Sequence, residues 1–316
     1  MSVRPGWREL TVAAATREHD VLHLRLVDPA GARLPSFTPG AHIVIDAAGH
    51  TNAYSLTGEF LDPQAYEVSV LRLDEGRGGS LWLHRELGAG DRLLVSQPRS
   101  AFAPVATARH HVLIAGGIGI TPMLSHVRAA LRFGRSFELI YGHRPRRAVA
   151  ARWLLQVCAA GQLQVAADRL AMTELVGRRL AAQPLGAHVY VCGPPAMIDA
   201  VRGIASALGW PAGRVHSESF TSAALEPGEP FEVQLRESGR RIRVPAGVSL
   251  LEALESQGVA VANLCRQGVC GECRVEVTAG VPLHRDLYLS DEERAAGDSV
   301  MCCVSRARGA ELELAL

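Results

Sequence analysis

Several common features are absent from this sequence. Lysine does not occur among its 316 residues, so all 33 basic side chains are arginines, and aromatic residues make up only 5%. Because 32 acidic residues nearly balance the arginines, the net charge of +1 gives no field that would attract nucleic acid or an anionic membrane. No apolar run reaches the roughly 18 residues of a membrane-spanning helix, and no signal-peptide core follows Met1. These absences predict a cytoplasmic protein whose partners include neither nucleic acid nor a membrane.

The bulk composition predicts several globular domains. A hydrophobic fraction of 48% over 316 residues provides for two or three cores. The seven cysteines are an odd number, and most of them are clustered near the C-terminus. Clustered cysteines favour metal binding over a disulfide framework, and they indicate a reducing compartment.

The clustered cysteines have a spacing with a specific chemical meaning. Cys265, Cys270 and Cys273 form a C-x4-C-x2-C pattern, which holds a plant-type [2Fe–2S] cluster together with a fourth cysteine from far along the chain. Cys302 and Cys303 are the candidates for that ligand, and in a strand they would point to opposite faces, so only one could reach the cluster. Zinc sites favour paired C-x2-C units or histidine partners, so a zinc site or two disulfides is the weaker alternative.

Residues 1–104 are predicted to form an antiparallel β-barrel, because short runs of branched residues alternate there with Gly and Pro. Two segments are candidates for function. One is the strand end at residues 52–56, and the other is a glycine-rich turn at residues 75–80 that leads into a helix. Such a turn can present N–H groups and a hydroxyl to a phosphate. By itself each segment is a weak indication, because Tyr54 would more often be a core residue and Gly78-Gly79 a simple loop.

Residues 105–222 change to alternating strands and helices, which predict a parallel sheet of the doubly wound α/β type. Its first strand is apolar throughout, as in a strand covered on both faces. The loop at residues 116–120 follows, and we expect Thr121 to cap the next helix and Pro122 to occupy its first position. Ligands of such sheets bind beyond the carboxyl ends of the strands, where this loop and residues 192–195 both fall.

The remaining chain is divided by composition. Residues 223–230 are predicted to be a linker, because Pro, Gly and Glu dominate them. Residues 231–316 begin with a β-hairpin and contain the cysteine motif, so a small α+β domain is expected there. Ser290 and Glu293 have the spacing of a capping box, which predicts a short helix between the third and fourth cysteines.

Taken together, these motifs resemble the phthalate dioxygenase reductase family over nearly the whole chain. The resemblance implies a multi-domain protein with an FMN-binding barrel (1–104), an NAD(P)-binding α/β domain (105–222), a linker (223–230) and a plant-type ferredoxin domain (231–316). It rests on six motifs in the family's order: Tyr54-Ser-Leu56, Gly78-Gly-Ser80, residues 116–122, Cys192-Gly-Pro194, residues 216–220 and the cysteines.

The resemblance also implies roles for single residues. Tyr54, Ser55 and Leu56 would line the isoalloxazine ring of the flavin, and Gly78, Gly79 and Ser80 would hold the FMN phosphate. Gly117 and Thr121 would lie at the nicotinamide nucleotide, Cys192, Gly193 and Pro194 near the nicotinamide ring, and Phe220 over the flavin. The run Cys303-Val-Ser-Arg resembles the family's ligand strand, so the expected cluster ligands are Cys265, Cys270, Cys273 and Cys303.

One residue departs from the family pattern. The flavin motif usually opens with arginine, and this chain has Asn52 there. A hydrogen bond to a charged group contributes ~1.5–3 kcal/mol, and a neutral amide offers less to a phosphate. We therefore expect FMN to be held less tightly than in relatives with the arginine, unless Arg72 or Arg77 compensates.

The implied function is electron transfer. NAD(P)H gives two electrons as a hydride, a [2Fe–2S] cluster takes one at a time, and a flavin can connect the two. The resemblance implies the reductase component of an oxygenase or demethylase, with electrons passing from NADH through FMN and the cluster to a Rieske-type terminal component. No catalytic acid or base is required. The alternatives are a ferredoxin-like carrier, a reductase that serves another acceptor such as a haem monooxygenase, and a non-redox zinc module.

The choice between NADH and NADPH depends on the loop after the second strand of the α/β domain. His143, Arg144, Arg146 and Arg147 follow that strand with no acidic residue nearby, and such arginines could hold the 2′-phosphate of NADPH. The resemblance implies NADH instead, and NADH is the expected donor.

Overall fold

The computed structural model describes residues 6–75, 78–100, 102–144, 149–220, 227–286 and 288–316. Of Ala151 it describes the backbone but not the side chain. The chain divides into two compact units, Met1–Phe220 and Thr221–Leu316. The first unit contains two sheets and the second contains one. Among the described residues, every helix is too short or too polar to cross a membrane.

The first sheet of the first unit is an antiparallel barrel. Its strands are β1 (Trp7–Glu18), β2 (Val21–Val27), β3 (His42–Ala47), β4 (His50–Ser55), β5 (Tyr66–Leu71) and β6 (Arg92–Ser96), and helix α1 (Gly79–Glu86) follows β5. The strand order is β4-β3-β6-β1-β2-β5, and a bridge between Leu56 and Val68 joins the two edges. Alternate residues such as Leu22, Leu24 and Leu26 fill the interior. The predicted barrel is confirmed.

The second sheet is parallel throughout, with the order β11-β10-β7-β8-β9. Along the central strand Leu113 and Ala115 pack on the side of α2 and α3, whereas Val112 and Ile114 pack on the side of α4 and α5. Helices therefore cover both faces, as the apolar run predicts. The elements are β7 (His110–Gly116), α2 (Ile120–Arg132), β8 (Phe137–Gly142), α3 (Ala151–Val157), β9 (Leu163–Ala166), α4 (Arg169–Ala181), β10 (Ala187–Cys192), α5 (Pro195–Ala207) and β11 (Val215–Glu218).

The helix after β7 begins differently from the prediction. A 3-10 turn at Gly117–Gly119 continues directly into α2, so Gly119 is the N-cap residue. Thr121 lies inside the helix, and its hydroxyl donates to the carbonyl of Ile118 at 3.0 Å. The prediction that Thr121 caps this helix and that Pro122 opens it is wrong, because helical structure already begins at the glycines before them.

The second unit has one mixed sheet with the order β13-β12-β16-β14-β15. Only the β12–β16 pair is parallel. Capping boxes at Ser249 and Ser290 begin its two helices, and the second of these boxes is the predicted one. The elements are β12 (Phe231–Leu235), β13 (Arg241–Val244), α6 (Leu250–Ser256), β14 (Arg274–Leu283), α7 (Asp291–Ala296), β15 (Ser299–Met301) and β16 (Arg306–Leu314).

Candidate functional site

The four cysteines expected to bind a cluster lie in two pairs within the second unit. Cys265 is hydrogen-bonded to Cys270, and Cys273 to Cys303. All four are buried, with at most 6% of each residue exposed. Among the described residues, no three His, Cys, Asp or Glu side chains converge on one metal-ion position, as a mononuclear zinc site would require. Two separate thiol pairs instead suit a centre with two irons, each of which takes two thiolates.

The backbone of the cysteine loop stabilises thiolates. The N–H of Gln267 donates to Cys265 Sγ at 3.3 Å, and the N–H of Cys265 donates to Cys270 Sγ at 3.5 Å. The hydrogen bond from Cys270, helped by backbone N–H groups and opposed by burial, lowers the pKa of Cys265 to about 6. The Cys303 thiol lowers the pKa of Cys273 in the same way. Each pair therefore holds one thiol inclined to the thiolate form, which is the form that binds metals.

Cys302 and Cys303 have different surroundings. Strand β15 ends at Met301, so both cysteines lie in the turn after it, and the expectation that they occupy a strand is wrong. Cys302 is fully buried in the core of the second unit, and burial raises the pKa of its thiol. Cys303, in contrast, is hydrogen-bonded to another thiol, that of Cys273.

The cysteine loop is packed closely against Asp286 and Tyr288. A Cβ on Gly271, whose φ is +80°, would come within 2.3 Å of the Tyr288 ring. A Cβ on Gly268 would come within 3.0 Å of Asp286 Cα. The buried carboxylate of Asp286 accepts from the N–H of Leu289 at 2.9 Å, which ties Asp286 to the residues that follow it. Sequence reasoning missed Asp286 because its neighbours suggest only a surface helix.

In the first unit, a tight hairpin positions the strand end at residues 52–56. Ala48 and Gly49 connect β3 to β4 with φ of +53° and +86°, as in a type I′ turn. The register then pairs Ile45 with Asn52. Residues 50, 52 and 54 therefore share one face of β4.

The three residues expected at the isoalloxazine ring are not equivalent. Tyr54 is partly buried against the barrel core, and Leu56 lies inside that core with no exposed surface. Ser55 is 5% exposed, and its Oγ has no hydrogen-bond partner among the described residues. A buried hydroxyl without a partner is costly, so this atom fits a ligand that supplies one.

The glycine turn converges on the same strand. Gly78, with φ of +91°, is the N-cap of α1; among the described residues no side chain caps this helix, and its first turn has no acidic residue. A Cβ on Gly79 would come within 2.3 Å of Asn52 Nδ2, so a side chain at this position would displace the Asn52 amide. The Ser80 hydroxyl accepts from the N–H of Leu73 at 3.1 Å. An uncapped helix N-terminus beside an amide fits a phosphate. Residues 76 and 77, which include Arg77, lie outside the described residues.

A cavity of about 550 Å³ opens at the carboxyl ends of the parallel strands. Gly117 and Pro194 line it, whereas Thr121, Cys192 and Gly193 do not. Its volume lies within the range of roughly 300–1,000 Å³ that small-molecule and cofactor sites occupy. Its position at the strand ends is where sheets of this kind bind nucleotides.

An acidic residue from another part of the chain shares a cavity with the arginine loop. Asp168 lines the same cavity as Arg144 and Arg169. Its carboxylate also caps α4, because Oδ1 accepts from the N–H of Ala171 at 2.8 Å. Sequence reasoning missed Asp168 because it follows a different strand, β9. Arg146 and Arg147 lie outside the described residues.

A buried carboxyl lies where the two glycine loops meet. A Cβ on Gly119 would come within 2.3 Å of the Cys192 carbonyl oxygen, and the β10–β11 register pairs Cys192 with Glu218. Glu218 is 6% exposed, and its Oε2 has no hydrogen-bond partner among the described residues. Burial raises the pKa of Glu218 to about 8, and burial followed by the charge of Glu218 raises the pKa of Cys192. Phe220, two residues further on, packs against the core on the α2 side.

Comparison with known proteins finds a matching domain family in each of the two units. Residues 93–215 match the domain family "Dimethylamine monooxygenase subunit DmmA-like, N-terminal domain", and residues 233–308 match the "2Fe-2S iron-sulfur cluster binding domain". The chain is 40% identical to the heme-dependent oxidative N-demethylase beta subunit of Ectopseudomonas mendocina (strain ymp), with 98% of each chain covered.

Two solved structures are also similar. A phthalate dioxygenase reductase, described as a modular structure for electron transfer from pyridine nucleotides to [2Fe–2S], is 36% identical with 98% of each chain covered and a TM-score of 0.74. An intact type IV self-sufficient cytochrome P450 monooxygenase is 32% identical with a TM-score of 0.81; the match covers all of this chain and 43% of that one. Because the likeness to the reductase extends over both units, this chain belongs to the phthalate dioxygenase reductase family, the NAD(P)H-dependent flavin iron–sulfur oxidoreductases that serve as reductase subunits of multicomponent oxygenase systems.

Proposed function

We propose that this chain passes electrons from NADH, through FMN and a [2Fe–2S] cluster, to the Rieske-type terminal component of an oxygenase or demethylase. The observation that carries the proposal is the presence of two buried thiol pairs in a chain that also has a nucleotide-sized cavity at the ends of a parallel sheet. A carrier without nucleotide oxidation would have no use for that cavity.

The proposed cluster ligands are Cys265, Cys270, Cys273 and Cys303. Their burial excludes water, and the N–H groups directed at the sulfurs favour the thiolate form. When bound, the flavin supplies the conversion of an electron pair into the single electrons that such a cluster takes. The protein's task is to hold the reacting groups in position, so no residue of the chain is proposed as an acid or base.

The proposed flavin site joins β4 to the start of α1. Tyr54, Ser55 and Leu56 are assigned to the isoalloxazine ring, and Gly78, Gly79 and Ser80 to the phosphate. The partnerless Ser55 hydroxyl and the uncapped turn support this assignment, although the Ser80 hydroxyl already contacts Leu73. FMN is proposed because its chain ends with the phosphate at that turn. Flavin released by heat should run with an FMN standard, and FAD would contradict this part.

The proposed nucleotide site is the cavity at the strand ends. Gly117 and Pro194 line it, and Thr121 in α2, Cys192 at the end of β10 and Gly193 after it are also assigned to the nucleotide. Phe220 is assigned to the flavin. An acidic side chain such as Asp168 can accept from a ribose hydroxyl, whereas Arg144 and Arg169 could pair with a phosphate. We propose NADH as the donor. Steady-state kinetics with both nucleotides decide this, and a kcat/KM for NADPH about tenfold above that for NADH would contradict it.

The proposed domain assignment follows these sites. Residues 1–104 bind the flavin, residues 105–222 bind the nucleotide, residues 223–230 are the linker, and residues 231–316 hold the cluster. Of the linker, residues 223–226 lie outside the described residues.

A haem iron is the second candidate acceptor. It is favoured by the relative named as a heme-dependent N-demethylase subunit and by the match to 43% of a cytochrome P450 monooxygenase. Both acceptors take single electrons, so the site itself does not distinguish them. The tagged protein should be used to purify its partner from the native cells. The partner's visible spectrum decides the question, because a Soret band would replace the Rieske acceptor with a haem iron.

A further inference from the structure

The side chain of His50 borders the glycine turn that opens α1. A Cβ on Gly78 would be 3.6 Å from His50 Nε2, and one on Gly79 would be 3.2 Å from His50 Cβ. Asn52 approaches Gly79 from the same side, because residues 50 and 52 share a face of β4. The turn is therefore flanked by an imidazole and an amide.

The hairpin fixes where His50 lies. His50 is the first residue of β4 and pairs with Ala47 directly across the two-residue turn. The carboxylate of Asp46 accepts from the N–H of Gly49 at 2.7 Å, which holds the turn. The position of His50 is thus set by strand pairing.

The other side chains considered for the phosphate are engaged elsewhere or not described. Arg72 donates to the carboxylate of Asp74 at 2.8 Å. The Ser80 hydroxyl contacts the backbone of Leu73, and Arg77 lies outside the described residues. Helix α1 directs backbone N–H groups at the site, but a helix N-terminus carries only about half a unit of positive charge against a phosphate dianion.

We propose that His50 and Asn52 together replace the family's motif arginine as the side-chain partners of the flavin phosphate. The His50 Nε2–H and the Asn52 amide each donate one hydrogen bond, in place of the two that a guanidinium can donate from one side chain. This inference rests on the proposed function, because it requires a phosphate-bearing flavin at the turn.

Riboflavin provides the test, since it differs from FMN only by the missing phosphate. Titrations of flavin-free protein, followed by flavin fluorescence, give the Kd for each compound. His50→Ala should raise the Kd for FMN about tenfold and leave the Kd for riboflavin unchanged. Thr51→Ala is the matched control, because Thr51 lies on the same strand with its side chain on the opposite face; it should leave the ratio of the two Kd values unchanged.

Each other outcome has a defined meaning. Equal weakening of FMN and riboflavin by His50→Ala would show that His50 acts through the fold, and an unchanged FMN Kd would show that it makes no contact; either overturns the inference. In an Asn52→Arg background, the effect of His50→Ala should shrink, and an undiminished effect would count against replacement of the arginine. If the wild type binds neither compound, the proposed flavin function itself fails.

Discussion

The cysteine loop and the glycine turn that opens α1 are both proposed to hold a redox group, and they would do so by different means. At the cluster site, three buried cysteines of the loop and Cys303 would be the contacts, and backbone N–H groups of the loop support them. In the turn, glycine backbone faces the proposed phosphate site, and the side chains of Asn52 and His50 reach the site from the neighbouring strand β4. Substitutions should therefore act in opposite ways at the two places. The cluster site depends on which side chain stands at each cysteine position, whereas Gly79 in the turn depends on having no side chain.

The largest expected effect is at the fourth cysteine. Cys303→Ser should remove the cluster, because it breaks the pair with Cys273, whereas Cys302→Ser should keep it. Iron content per protein and the visible spectrum of the purified variants measure this. If Cys302→Ser lost the iron and Cys303→Ser kept it, the choice of ligand would be reversed.

The next largest effect is expected at the glycine turn before α1, where an added side chain should weaken flavin binding. Gly79→Ala places a Cβ 2.3 Å from Asn52 Nδ2, so Asn52 must move away and the flavin Kd should rise by about tenfold or more. The Kd is measured by flavin fluorescence. The matched control is Gly203→Ala in α5, whose Cβ meets nothing within 4 Å. It should leave flavin binding unchanged and raise stability by roughly 0.5–1 kcal/mol.

The effect of Gly79→Ala can also be measured in a variant that lacks the Asn52 side chain, which tests whether the contact with Asn52 is its cause. In Asn52→Ala, the added effect of Gly79→Ala should shrink, because the contact at 2.3 Å is gone and the next atom is His50 Cβ at 3.2 Å. An undiminished effect would place the clash elsewhere.

A smaller effect is expected from restoring the family's arginine. Asn52→Arg should lower the flavin Kd about tenfold, because a charge-assisted contact to a phosphate contributes ~1.5–3 kcal/mol. The comparison of the two Kd values measures it. An unchanged or higher Kd would mean that the present pair of side chains already does what the arginine does.

The last effect is on stability instead of flavin binding, and it concerns a buried side chain near the nucleotide cavity. Burial raises the pKa of Glu218 from 4.5 to about 8, so the folded protein keeps a proton that the unfolded chain releases. The free energy of unfolding should therefore fall as the pH rises from 4.5 to about 8. Glu218→Gln should remove this part of the pH dependence in denaturant titrations. The exposed Glu237→Gln should leave it unchanged, and an identical slope in wild type and Glu218→Gln would contradict the assignment.

Much of the fold follows from sequence pattern. The apolar strand β7 and the Ser290 capping box are where the sequence indicates. Strand β11 was not predicted, because Val-His-Ser-Glu is short and polar. It belongs to the sheet only through its pairing with β10, and this pairing also buries Glu218. Thr121 and the cysteines after Met301 were misplaced because single-residue preferences do not report where a glycine turn or a strand ends.

The candidate site, like the fold, could be predicted from the sequence only in part. The cysteine spacing is visible in the sequence because the ligands are side chains of one type. The proximity of Asp168 to Arg144, and of His50 to Gly78, depends on which strands are neighbours. No local pattern contains that information, since each pair joins segments that are distant in the chain.

The thiol pairs have a consequence for the assembly of the second unit. The Cys265–Cys270 pair spans a short loop, but the Cys273–Cys303 pair joins the two ends of a segment that contains β14, α7 and β15. An inorganic centre held by both pairs would cross-link the two ends of that segment. Such a cross-link would reduce the conformational freedom of the unfolded chain. The persistence of this unit in the cell would then depend on the supply of iron and sulfide, by simple mass action.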